Sequence, residues 1–208
     1  MADGHPGDGT IGRVRETLAR GEVARRLVHA SGTGLPALYL LGLATWVQVT
    51  ALLVAGAVIA LGLEAVRLVV GLEWAIYDRL TREYEQDNLA GYALYFVSSA
   101  PVAALFEPRV AVPAILMLTL ADPFSGLLGS AGADSVKQGR VLAATFGVAT
   151  TLAVPFVPPV VAALGGAATT VADGVKPVVA GYVVDDNLTI PPAAAVAMTV
   201  GLEVVTSA

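Results

Sequence analysis

The chain has 208 residues, 56% of them hydrophobic and only 14% charged, with a formal net charge of −5. A soluble domain carries roughly 25% charged residues, so this composition, drawn into long apolar runs with mean hydropathy +0.73, belongs to the membrane class. Continuous rather than alternating runs disfavour a β-barrel. The lack of cysteine excludes disulfides, thiolate metal sites and cysteine nucleophiles, and no basic stripe points to nucleic acid.

Residues 1–10 are rich in Gly and Asp and are expected to be disordered. Between Ile11 and Arg26, the apolar Ile11, Val14, Leu18 and Val23 alternate with five arginines. That pattern predicts a short basic amphipathic helix on the membrane surface, so residues 1–24 are read as a disordered start plus surface helix. They lack the apolar core of a signal peptide. Positive charge flanking a first span stays inside, which puts the N-terminus in the cytoplasm and the transmembrane domain at 25–208.

An all-α polytopic membrane helix bundle of about seven transmembrane helices is predicted. The spans run roughly Leu27–Ala44, Val49–Val70, Leu89–Phe106, Val110–Gly129, Val141–Pro155, Val160–Asp173 and Thr189–Val205. Trp46 and Gln48 fall in a turn, Glu107-Pro108-Arg109 forms another, and Gly174–Asn187 is a linker. Spans five and six are short for the roughly 20 residues a spanning helix needs. Pro101 and Pro113 lie within spans, where neighbouring helices satisfy the freed backbone. Nearly all Lys and Arg fall in or beside the segments this threading leaves inside; only Arg109 lies outside.

The same threading gathers the polar residues on the inner side. Arg25, Arg26 and His29 open span one, and Glu64 and Arg67 close span two at a spacing that allows a simple ion pair. Asp122 lies near the end of span four, followed by Ser125, Gly126, Gly129, Gly132 and then Lys137, one of two lysines. Asp173 closes span six and Asp185-Asp186-Asn187 opens span seven. A carboxylate inside an apolar run is costly and marks a functional site by default; the plain alternatives are that Asp122 ends a helix and that 185–187 caps one. Grouped acids suit Mg²⁺ held against phosphate oxygens, with glycines admitting backbone amides and a lysine adding a point charge. No Walker pattern is present.

Three segments, RRLVHASG at 25–32, ADPFSGLLGSAG with Lys137 at 121–137, and Asp173 with DDNLTIP at 185–191, resemble the membrane kinases that use CTP to phosphorylate isoprenoid alcohols. That family holds the dolichol and phytol kinases, with phosphatidate cytidylyltransferases as distant relatives. Where members often carry Lys-Ser-x-x-Gly-Ser, this chain has Lys137-Gln138-Gly139-Arg140. The resemblance implies phosphoryl transfer from CTP to a lipid alcohol at the cytoplasmic face of the cell membrane. It implies that Asp122 and Asp185 or Asp186 hold Mg²⁺, and that Lys137 and Arg26 neutralise charge. Ser125, Gly126, Gly129, Gly132 and Asn187 would line the nucleotide, and Asp173 or His29 would be the base. A cytidylyltransferase acting on a phosphorylated lipid, or a small ion or solute carrier, are the alternatives.

Overall fold

Thr45 sets where the first long helix begins. Its hydroxyl accepts from the Gln48 main-chain N–H, and the Gln48 side chain accepts in return from the Thr45 N–H at 2.8 Å, a reciprocal capping box. The helix therefore starts at Trp46, inside what sequence patterning reads as a turn. The computed structural model describes residues 29–70, 88–129, 137–175, 177–179 and 182–207. The expected surface helix, Arg25, Arg26, Gly132 and Lys176 lie outside them.

The described chain is helical: α1 (Gly34–Leu40), α2 (Trp46–Ala65) prolonged by a π turn (Val66–Val70), α3 (Gly91–Leu105), and α4 (Pro108–Leu116). A second π turn (Met117–Ala121) joins α4 to α5 (Asp122–Leu128), and α6 (Gly139–Ala153), α7 (Pro159–Gly174) and α8 (Asp186–Ser207) follow. Inside the expected 174–187 linker, two-residue strands β1 (Val178–Val179) and β2 (Tyr182–Val183) pair antiparallel, with Val178 opposite Val183.

Three stretches among the described residues are long and apolar enough to cross a membrane: Trp46–Val69, Pro108–Leu128 and Asp186–Ser207. Two-thirds of the second (67%) is buried against 22% of the first, so Pro108–Leu128 is the central helix and Trp46–Val69 a peripheral one. Helices α3 and α6 are apolar but shorter. The expected first span is not a single helix. Residues 29–31 are helical, the chain turns at Gly32-Thr33, and α1 has seven residues. Pro36 explains the break, since it has no N–H to give Gly32 O and its ring crowds that carbonyl. Gly32 O accepts instead from the Leu35 N–H at 3.4 Å and from the Tyr95 hydroxyl at 3.0 Å.

Helices α2 and α3 run antiparallel, fastened at both ends. Trp46 Nε1 donates to Ala103 O at 3.0 Å. At the other end Glu64, 1% exposed, accepts from Arg67, from the Ala90 N–H at 3.0 Å and from the Tyr92 hydroxyl at 2.5 Å. Arg67 reaches on to Asn88 O. The Glu64–Arg67 pair is thus a buried clamp that ties the end of α2 to the start of α3. Small residues let α7 and α8 approach each other closely. A Cβ at Gly165 would lie 2.7 Å from Met198 Cγ, and one at Gly201 2.8 Å from Leu164 Cδ1.

Candidate functional site

Three helix ends and one loop residue meet in a single cluster, with Asp173 and Asp186 buried and Asp122 partly so. Asp122 is the first residue of α5, Asp173 is in the last turn of α7, and Asp186 is the first residue of α8. One carboxylate oxygen from each lies within 4.8 Å of the other two. Lys137 precedes α6, and its main-chain N–H is tethered to Gly174 O at 3.4 Å, which holds it beside the end of α7. From there its ammonium donates to Asp173 Oδ1 at 2.5 Å and to Ser125 Oγ at 2.9 Å, and it stands 3.9 Å from Asp122 Oδ1.

Ser125 sits three residues after Asp122, a spacing that puts both on one face of α5. Fully buried, it passes its own proton to Asp173 Oδ2 at 2.7 Å. Asp173 is therefore fixed through both oxygens, one by Lys137 and one by Ser125. Thr145 Oγ1 stands at 3.5 Å from the same Oδ2, while its proton goes to Val141 O at 2.9 Å.

A proline shapes the approach to Asp122. In the π turn the Asp122 N–H bonds back to Met117 O, five residues away. Continuing that pattern would bring the next N–H to Leu118 O, but the next residue is Pro123, which has none. His29 Nε2 takes that carbonyl at 2.9 Å. A carbonyl only accepts, so Nε2 carries a proton, and the same nitrogen is 3.8 Å from Asp122 Oδ2. Just before it in the turn, the Thr33 hydroxyl donates to Thr119 Oγ1 at 2.9 Å, which pins the Gly32-Thr33 break to the π turn.

The start of α8 has the same construction. Asp185, 1% exposed, caps the helix by accepting from the Asn187 main-chain N–H at 2.9 Å and from its side-chain amide at 2.5 Å. Pro191 lacks the N–H that Asn187 O, four residues earlier, would receive. The Ser98 hydroxyl from α3 supplies it at 2.6 Å. The Asn187 side-chain oxygen is buried with no hydrogen-bond partner.

Of the residues singled out from sequence, Asp122, Asp173, Asp186, Lys137 and Ser125 come together, and His29 stands beside Asp122. Asp185 instead faces Asn187 as a helix cap, and Asp173 completes the carboxylate triad. Gly126 lies inside α5, where main-chain donors are spent on the preceding turn, and the Gly129 N–H bonds to Ser125 O at 3.2 Å. Neither glycine offers an amide to a phosphate in this arrangement. Ser98 and Thr145 were not apparent in the sequence. The only signal for Ser98 is its place, a small hydroxyl opposite the proline of the last span.

The donor chemistry of the triad fits a hard cation. Carboxylate oxygens are what Mg²⁺ and Ca²⁺ take, and opposite ligands of a Mg²⁺ octahedron stand about 4.2 Å apart. Oxygens lying within 4.8 Å of one another are close to that ligand spacing. No family model, curated protein or solved structure matches this chain.

Proposed function

We propose that this protein is a multi-pass enzyme of the cell membrane, with about seven spans and a cytoplasmic N-terminus, that transfers the γ-phosphate of CTP to an isoprenoid alcohol at the inner face. The observation that supports this most is the Asp122–Asp173–Asp186 cluster with Lys137 set into it. Asp122 and Asp186 would hold a divalent cation, in keeping with the one or two carboxylates that Mg²⁺ usually takes beside substrate phosphates. When bound, the cation neutralises and orients triphosphate oxygens.

Lys137 keeps a fixed positive charge at the cluster, because Asp173 and Ser125 hold its ammonium in one orientation. Pre-aimed charge of this kind, together with positioning, carries most of a phosphoryl transfer. Arg26 adds a second cation. The proton of the attacking alcohol passes to Asp173. His29 is unsuited to that role through Nε2, which is already a donor to Leu118 O.

Incubating the purified full chain with γ-labelled CTP, Mg²⁺ and either a polyprenol or phosphatidate tests the assignment. Label in the lipid is expected. Label in pyrophosphate would make the protein a cytidylyltransferase. If CTP survives with both lipids, the enzymatic assignment fails and an ion or solute carrier takes its place. Asp122→Asn is expected to abolish turnover while leaving the helical content and elution volume of the protein unchanged.

A further inference from the structure

At two places among the described residues a proline leaves a main-chain carbonyl without its helical partner, and a side chain from a distant segment takes the carbonyl. Pro123 leaves Leu118 O to His29, and Pro191 leaves Asn187 O to Ser98. Both latches lie beside cluster carboxylates. Leu118 is in the turn that delivers Asp122, and Asn187 follows Asp186 directly.

We infer that His29 and Ser98 are positioning residues, which place Asp122 and Asp186 by occupying the carbonyls that Pro123 and Pro191 leave open. Each side chain holds a helix at the register where its acid faces the cluster. Asp122 is sensitive to this because a one-residue change of register, from the π turn back to an α turn, rotates a side chain by about 100° around the helix axis. His29 joins residues 29–31 to the central helix, and Ser98 joins α3 to α8. Thus the prolines convert two ordinary helical carbonyls into docking points between spans. This assignment rests on the cluster's being a cation site only for what the placement serves.

Mn²⁺ titration of the detergent-solubilised full chain, followed by electron paramagnetic resonance, reads the placement directly. Residues that orient metal ligands typically contribute about 10- to 100-fold to metal affinity, and a loss of that size is expected for His29→Ala and for Ser98→Ala. The decisive comparison is with the proline. Pro123→Ala restores an N–H and lets the turn relax, so it weakens Mn²⁺ by itself, and His29→Ala added to it should change affinity less than about twofold. Ser98→Ala on Pro191→Ala should behave alike. Equal losses in the proline and alanine backgrounds would overturn the inference. His29→Gln keeps an N–H donor for Leu118 O and should retain most of the affinity.

Where a variant does not fold, ¹⁵N spectroscopy of His29 in the unaltered protein decides the same point. The chain has two histidines, so His5→Gln assigns the signal. A protonated Nε2 is expected, and a bare Nε2 overturns the His29 latch. Absence of any Mn²⁺ binding by the unaltered protein would fail the cation site itself, and the nitrogen spectrum would still decide the latch.

Discussion

Lys137→Met removes the ammonium and keeps the length of the side chain. In the folded protein that ammonium makes two hydrogen bonds, to Asp173 Oδ1 at 2.5 Å and to Ser125 Oγ at 2.9 Å, with Lys137 8% exposed and the Asp173 side chain fully buried. Removing one partner of a buried pair typically costs about 3–5 kcal/mol, because the other charge is left without compensation. Lys137→Met should therefore destabilise by about 3–5 kcal/mol, and adding Asp173→Asn, which removes the stranded charge, should recover about 2 kcal/mol or more of that loss. Equilibrium unfolding in detergent micelles, followed by circular dichroism over the full double-mutant cycle, measures the coupling. A coupling within about 0.5 kcal/mol of zero is what independent sites give, and that result would refute the buried pair. If the cluster also takes a cation, saturating Mg²⁺ at about 100 times its dissociation constant should return about 2.7 kcal/mol to the single variant.

Glu64→Gln at the far end of α2 leaves Arg67 without its carboxylate and should cost about 3–5 kcal/mol in the same unfolding assay. Because Glu64 belongs to the α2–α3 clamp and not to the triad, Mn²⁺ affinity of the folded fraction should stay within about twofold, as for uncoupled sites; a tenfold change would place Glu64 in the functional cluster. Thr45→Ala breaks the capping box and should cost about 1 kcal/mol, seen as faster amide exchange at residues 46–48 with turnover unchanged. Slow exchange at those amides in the variant would mean that the cap contributes nothing.

The helical class, the apolar helices that hold Pro101 and Pro113, and the meeting of Asp122, Asp173, Asp186 and Lys137 were legible in the sequence for one reason. Apolar runs fix where the chain can thread a membrane, and threading fixes which run ends share a side. Asp122 came with that pattern because an acid in such a run stands out against its neighbours. Helix starts were less legible. Sequence patterning sets Trp46 and Gln48 in a turn, yet Thr45 and Gln48 cap a helix that starts at Trp46. The glycines after Asp122 were expected to cradle phosphate, but α5 continues through Gly126 to Leu128. Glycine in a membrane helix is common and by itself does not stop one.

The division between Asp173 and Asp185 shows what sequence order hides. Asp173 precedes the 174–187 segment and Asp185 lies within it, where two adjacent acids at 185–186 look like a ligand pair. An acid immediately before a helix, however, has a main-chain N–H two residues on to accept from, and Asp185 takes it together with the Asn187 amide. Asp173 has no such local claim. It lies at the end of α7, where nearby helical N–H groups are already used, so its oxygens look outward to Lys137 and Ser125. Local hydrogen-bond demand thus separates the capping acid from the acid available to the site. The same bookkeeping, applied to carbonyls rather than carboxylates, finds His29 and Ser98. In each case the deciding partner is a main-chain group, and a proline or a helix start announces in the sequence which of those groups are left over.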